Sequence, residues 1–335
     1  MSDFDHVLSW LEQLEMNQGR SPQTVAKYRG YLHRLQAYLI EEKDCDLLTA
    51  NKDHLLEFSG IYMHQQGLKP KSRKSVVAAI RGFYSWAWKN RLVTDDLARH
   101  VESPKAGRRL PDVASLQTVE ALMMAMDLST LKGIRDCSIL SLMAGCGLRV
   151  SGVVALNESN LIWTELDGKE RLVIKVREKG GKERLVPAPF DVFLMLRAYL
   201  GHPDLEGIDR SLPDGDRVLF VSLNNRTITP DKYHGEERRM RRNAVNDMLK
   251  RYGKRAMLPK NELHAHAFRH LFGTELAEEG HNLREIQELM GHADINTTSI
   301  YVHLATRRLA KTVDKSNPLS KIRTPFSDLA KSLRG

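Results

Sequence analysis

The sequence predicts a mainly α-helical protein of two domains, the second carrying a small antiparallel β-sheet. Three observations lead there. A length of 335 residues exceeds one ordinary core. Apolar residues recur at helical spacing along most of the chain. Two short alternating runs face each other across Gly180-Gly181.

The helices begin at Ser21, a plausible N-cap, with Pro22 at the first helical position and Val25, Tyr28, Leu32, Leu35 and Leu39 on one stripe. A second helical segment covers Lys52 to Gln65, and a third runs from Pro70 through Val76, Ile80, Phe83, Tyr84 and Trp86 toward Asn90. The N-terminal third is thus expected to be all helix. The stretch Ser103-Pro-Lys-Ala-Gly-Arg-Arg-Leu-Pro111 has no periodicity, two prolines and three cations, and reads as an exposed linker.

Beyond the linker, Leu116 to Met126 and Gly133 to Met143 read as helices, and Arg171 to Arg177 with Arg184 to Pro187 as a hairpin. From Glu237, the residues Met240, Ala244, Val245, Met248, Leu249 and Tyr252 form one apolar stripe. Arg238, Arg239, Arg241 and Arg242 fall largely off it, so the helix is expected to carry a basic face for phosphate contact. The tail Thr324-Pro-Phe-Ser-Asp328 offers a cap, a first-turn proline and an early acid, followed by an apolar stripe of Phe326, Leu329, Ala330 and Leu333. The expected organisation is a helical domain at 1–102, a linker at 103–111, a second domain at 112–320 and a C-terminal docking helix at 321–335.

Lys and Arg total 51 against 42 Asp and Glu, a formal charge of +9 that favours a polyanionic partner, with nucleic acid the first candidate. Cys45, Cys137 and Cys146 are odd in number and show no C-x-x-C spacing, so neither a disulfide framework nor a thiolate zinc site is indicated and a reducing cytosol fits. The N-terminus lacks a secretory pattern and no apolar run reaches bilayer-spanning length, so the protein is expected to be cytoplasmic and to have no membrane partner. No Gly-rich phosphate loop is present, which leaves NTP-driven chemistry without a seat.

The candidate chemistry is distributed along the second domain. Arg149 follows the apolar run Leu140 to Met143 closely enough to start near the edge of a core. His266 and Arg269 lie three apart and share a helix face, placing a proton-transfer group beside a fixed cation. His266 and His270 are four apart, as in H-E-x-x-H zinc sites, but Ala267 stands where that motif has its glutamate. Leu289-Met-Gly-His292 ends a helix at glycine, and Asp294 to Thr298 is placed to cap the next, which would present Tyr301 early.

Together these residues suit nucleophilic attack on a phosphodiester, where charge builds on the non-bridging oxygens. Arg149 and Arg269 could clamp the phosphate bidentately, taking the place of metal ions. Tyr301 needs a base, for which His266 is the nearest chemical fit, leaving His292 to hydrogen-bond the phosphate. The departing 5′ oxygen needs a proton that a hairpin lysine can deliver, and spacing alone does not separate Lys179 from Lys182. No metal and no nucleotide cofactor is expected.

In this order along the chain, the motifs resemble the tyrosine recombinases of the Xer and phage-integrase type. Gly147-Leu-Arg149-Val-Ser151 is similar to that family's first arginine box, Lys179-Gly-Gly-Lys-Glu-Arg-Leu-Val-Pro187 to its hairpin, and His266-Ala-Phe-Arg269-His270 to its H-x-x-R-H box. Leu289-Met-Gly-His292, Tyr301 and the N-terminal Ser21-Pro-Gln-Thr-Val-Ala-Lys-Tyr28 complete the resemblance, which covers nearly the whole length.

The resemblance implies a SAM-like core-binding domain and a catalytic domain forming a C-shaped clamp on DNA. It also implies a 3′-phosphotyrosyl intermediate at Tyr301 and Lys179 as the acid, with Lys182 a DNA contact. The implied partners are a double-stranded recombination site bound by a dimer, and a homotetramer on two synapsed sites whose C-terminal segments pass from subunit to subunit. An accessory protein or a second recombinase stays open, as does the kind of recombination. A nucleoid-associated, bacterial setting goes with this.

The sequence departs from the family pattern at Gly152, where an acidic residue is usual, which predicts a slower or partner-dependent active site. It departs again at Ala265, where proline is common, which leaves His264 as a rival to His266. Two alternatives remain beside the recombinase reading: a catalytically weakened DNA-binding or accessory protein of the same fold, and a type IB topoisomerase-like enzyme.

Overall fold

A computed structural model describes residues 3–105, 112–166, 168–177, 183–225, 227–279, 281, 283–291 and 312–324. The chain divides into two compact units, Met1–Arg109 and Leu110–Gly335.

The first unit is helical throughout its regular structure: α1 (Asp3–Met16), α2 (Pro22–Lys43), α3 (Lys52–Glu57), α4 (Met63–Gln65) and α5 (Pro70–Lys89). Ser21 caps α2 by accepting from the Thr24 amide, and Pro22 occupies the first turn, where its missing N–H costs nothing. A π-helical turn, Phe58–Tyr62, joins α3 to α4 and stacks the Phe58 and Tyr62 rings with centroids 5.5 Å apart, both against Tyr38. Such a turn leaves backbone carbonyls poorly paired, and Arg73 donates to Gly60 O at 3.1 Å. The core of the unit includes Trp10, Leu32, Leu35, Leu39, Phe58, Phe83 and Tyr84, whose hydroxyl donates to Leu47 O at 2.7 Å.

The second unit contains α6 (Leu116–Met124), α7 (Leu131–Gly145), α8 (Val150–Val154), β1 (Leu161–Leu166), β2 (Lys169–Arg177), β3 (Glu183–Pro187), α9 (Phe190–Leu200), α10 (Pro203–Glu206), α11 (Arg242–Arg255), α12 (Ala265–Glu278) and α13 (Leu283–Met290). The sheet is antiparallel in the order β1-β2-β3, with Val176 opposite Arg184 and Arg177 opposite Glu183. Helix α7 is buried almost end to end, so its polar groups need partners inside. Asp136 accepts from Arg135 Nε at 2.9 Å and from the Tyr252 hydroxyl at 3.2 Å, and Ser138 donates back to Ile134 O.

Two local readings need correction. The sheet has a strand, β1, beyond the expected hairpin. The basic helix begins at Arg242 and not at Glu237, because residues 238–240 pair with 220–222: Ser222 N donates to Arg238 O at 2.6 Å and Met240 N to Phe220 O at 2.9 Å. Backbone donors engaged across the fold are lost to a local helix.

After the described part of the chain resumes at residue 312, a helical turn at 312–316 and a tighter one at Pro318–Lys321 lie on the second unit. Val313 joins Phe272, Leu276, Ile286, Leu289 and Met290 in a small apolar cluster, while Leu319 enters the main core. Asp314 pairs with Arg171, Ser316 hydrogen-bonds His281, and Lys321 bridges Glu275 and Glu279. Residues 321–324, read from sequence as the start of the docking helix, are therefore tied into this unit, and 325–335 lie outside the described residues.

Candidate active site

The site starts from a turn that only glycine suits. Gly147 follows α7 with φ of +63°, and a Cβ built there would lie 2.4 Å from Phe272 Cδ1. Both the left-handed backbone and the close approach of α12 exclude a side chain. The turn delivers Arg149 to the N-cap position of α8, half-buried, with Nη2 donating to Gly291 O at 3.2 Å.

Helix α12 is capped by His264, whose Nδ1 accepts from the Ala267 amide at 3.2 Å and whose other ring nitrogen faces Asp112 at 3.9 Å. The cap sets the phase of the first turn. It leaves the His266 side chain exposed and brings Arg269, one turn on, inside, with only 3% of its surface accessible. Of the two histidines left as rivals by the sequence, His264 is engaged in holding the helix end. Arg269 donates to Gly147 O and to Met290 O, linking the glycine turn to α13.

Helix α13 stops at Gly291, again at φ of +63°, the usual left-handed residue after a helix. Its last carbonyls carry partial negative charge and have no partner within the helix. Three guanidinium groups from three elements meet them in sequence: Arg184 of β3 donates to Leu289 O at 2.6 Å, Arg269 of α12 to Met290 O, and Arg149 before α8 to Gly291 O. The structure thus brings Arg149, Arg269 and His266 to one place, immediately before His292 in the chain.

Sequence reasoning had passed over Arg184. Its signal was present, since Arg184 and Val186 share a strand face and Val186 is fully buried. A cation on the inward face of a strand has a task.

The electrostatics fit a proton acceptor at His266. Its pKa is lowered, first by desolvation and then by repulsion from His270, Arg269, His264 and Arg149. His270, whose ring centroid lies 6.2 Å from that of His266, is lowered by desolvation, Arg269 and His264 in turn. Both rings therefore favour the neutral form near pH 7.

Gly152, in α8, is buried against β2, and a Cβ there would come within 3.2 Å of Val176 Cγ1. A side chain at 152 would have to displace Val176 by a few tenths of an ångström.

The four arginines expected to form a basic face have unlike surroundings. Arg238 lies over the Tyr233 ring, 3.8 Å from its centroid. Arg239 turns into the protein, donating to Glu236, to Val154 O and Leu156 O at 3.2 and 3.0 Å, and to Asn157 at 2.7 Å. It is a brace for the chain after α8, which corrects its expected place on an outward face. Arg241 and Arg242 are exposed at the start of α11, Arg241 within 3.9 Å of Glu237.

Lys179, Lys182, His292 and Tyr301 lie outside the described residues. Chain connectivity places the lysines in the link between the paired ends Arg177 and Glu183, where Lys175 and Glu183 form an ion pair at 2.9 Å. Among the described residues no group of three or more His, Cys, Asp or Glu side chains could hold a metal ion. Nor is any helix among them long and apolar enough to cross a membrane.

Comparison with known proteins matches residues 114–308 to the phage integrase family and residues 7–91 to the phage integrase N-terminal SAM-like domain. Tyrosine recombinase XerD of Staphylococcus haemolyticus is 30% identical over 93% of this chain and 98% of its own. Tyrosine recombinase XerD of Vibrio vulnificus is 30% identical over 95% of this chain and 97% of its own. Among solved structures, a lambda integrase dimer bound to a COC′ core site superposes with a TM-score of 0.59 at 15% identity, covering 87% of this chain and 98% of that one. XerH bound to palindromic difH substrate superposes with a TM-score of 0.57 at 21% identity, covering 86% of this chain and 76% of that one. These two likenesses establish the fold: helices with one small antiparallel sheet, preceded by a SAM-like helical domain.

Proposed function

This chain belongs to the phage integrase family and is a site-specific DNA recombinase of the tyrosine type, and from that premise we propose how its residues divide the reaction. Arg149 and Arg269 hold the non-bridging oxygens of the scissile phosphate, with His292 as a further donor. The Tyr301 hydroxyl attacks phosphorus while His266 accepts its proton. The bond from phosphorus to the 5′ oxygen breaks, and Lys179, or Lys182 in its place, protonates the leaving oxygen. The resulting 3′-phosphotyrosyl ester keeps the energy of the broken bond, so a 5′ hydroxyl of another strand can reseal it without ATP.

The observation that carries this reading is the convergence of Arg149 and Arg269 on Gly291 O and Met290 O, one residue before His292 and beside a neutral-leaning His266. Guanidiniums held by backbone carbonyls are preorganised and keep their charge at every working pH.

The further partners follow the same reading. A recombination site is bound by both units, as a dimer on each site and a tetramer at synapsis, with residues 325–335 docking on a neighbour. Arg238, Arg241, Arg242 and Lys182 contact phosphates, while Arg239 braces the chain after α8. The setting is the bacterial cytoplasm, at the nucleoid.

The deciding experiment is adduct trapping on a nicked suicide substrate, which strands the covalent intermediate. Wild type is expected to give a covalent protein-DNA species that Tyr301→Phe does not, and an adduct of undiminished yield in that variant overturns the assignment. A two-site recombination assay separates this reading from single-duplex relaxation.

A further inference from the structure

Arg184 lies in the hairpin motif without a catalytic role of its own, yet it holds the same helix end as Arg149 and Arg269. From this we infer that Arg184 is a positioning residue for the leaving-group acid. It fixes the lysine-bearing hairpin against the carbonyl end of α13, so that acid and phosphate clamp are set by one common support. The inference rests on the proposed role of a hairpin lysine as the acid.

Two other features of the hairpin are seen among the described residues. Its base is closed by the Lys175–Glu183 ion pair, whose partners are both substantially exposed and which therefore contributes little. Its underside lies near α8, where a Cβ built on Gly152 would come within 3.2 Å of Val176 Cγ1. Arg184 sits directly opposite Val176 and reaches across to Leu289 O at 2.6 Å, a charge-assisted bond to a helix C-terminus. Only residue 183 separates Arg184 from Lys182, and covalent geometry makes any displacement of β3 a displacement of the lysines.

The same bond joins two parts of the chemistry. Leu289 O, Met290 O and Gly291 O are consecutive, so Arg184 reads the position of the group that also receives Arg269 and Arg149. A rigid common support of this kind is what proton delivery requires, because misplacement by about 1 Å costs roughly 10²-fold in rate. Lysine at 184 could offer charge but not the planar fork at this reach.

In the affected step, phosphorus gains the Tyr301 oxygen and loses the 5′ oxygen, and the departing oxygen takes a proton from the lysine ammonium, which is left as the neutral amine. Replacing that bridging oxygen by sulfur removes the need for the proton, since a thiol ionises several pH units below an alcohol. A suicide substrate with a 5′-bridging sulfur at the scissile position is therefore the discriminating probe.

Arg184→Ala and Arg184→Lys are compared with wild type on all-oxygen and 5′-sulfur duplexes of the same recombination site, with DNA binding by gel shift and thermal unfolding as controls for folding. The expected result is a loss of adduct formation of about 10²-fold on the oxygen substrate, smaller for Arg184→Lys, and a rate within about threefold of wild type on the sulfur substrate. An equal loss on both substrates overturns the inference, as does no loss on either. The underlying assignments are read separately. Lys179→Ala/Lys182→Ala must itself be rescued by sulfur, or the hairpin acid falls and this inference with it. Tyr301→Phe must be dead on both substrates, or the nucleophile is misassigned.

Discussion

Substituting Gly147 by alanine tests whether the turn after α7 sets the site. The perturbation has two separable parts. At φ of +63° an L-residue with a Cβ is strained by about 1–2 kcal/mol. The new methyl would also lie 2.4 Å from Phe272 Cδ1 and 2.9 Å from Cε1, an overlap that α12 can relieve only by moving, at a further 1–3 kcal/mol or so. The expected total is roughly 2–5 kcal/mol, read as a shift of the urea midpoint at constant slope. Because Arg269 donates to Gly147 O and Arg149 follows two residues later, any relief by movement also displaces the phosphate clamp. Adduct formation is then expected to fall further than DNA binding. A double-mutant cycle with Phe272→Leu isolates the steric part: the smaller side chain opens space, so the two changes together should cost less than their sum by about 1 kcal/mol or more. Strict additivity, or a single-variant cost below about 0.5 kcal/mol, refutes the account of the turn.

Further outcomes follow from the site's electrostatics and braces. His266 and His270 have folded pKa values below their ordinary value of 6.5, so between the folded and unfolded values the unfolded chain binds more protons. Their contribution to stability is therefore present above pH 6.5 and lost as pH falls below it, and His266→Gln/His270→Gln should flatten the fall of the urea midpoint between pH 7.5 and 5.5; an unchanged slope contradicts the shifts. Arg239→Ala removes the donors to Val154 O, Leu156 O and Asn157 and is expected to cost about 2–3 kcal/mol in chemical denaturation. Arg241→Ala should leave stability within about 0.5 kcal/mol and lower the salt dependence of DNA binding by about one phosphate contact. Reversal of that pattern would show that the brace and the contact had been exchanged.

What could be read from the sequence was whatever local rules decide. The Ser21 cap with Pro22 and the glycine stop at Gly291 follow from spacing alone, and the structure carries both, whereas on α12 the His266 side chain is exposed and Arg269 is turned inside. β1 escaped because Leu161, Ile162 and Trp163 are consecutive apolar residues followed by polar ones, so no clean alternation appears. The Asp167-Gly168 dipeptide before β2 was a hairpin signal available in the sequence. The misplaced start of α11 has a different origin: residues 238–240 pair with a segment nearly twenty positions earlier, and no local periodicity reports such a partner. Arg184 was hidden for a third reason, since a cation inside an alternating run looks like a solvent-facing residue until the burial of Val186 fixes which face is which.

The three carbonyls at the end of α13 turn that short helix into a ruler. Each added residue advances a helix end by about 1.5 Å and swings it by about 100°, so a single insertion between Leu283 and Met290 would carry Leu289 O, Met290 O and Gly291 O away from all three arginines at once. Length variation among related chains is then expected to avoid 283–291. Grafting the Tyr301 segment between relatives is accordingly a problem of matching the register at Gly291 as well as the residues beyond it.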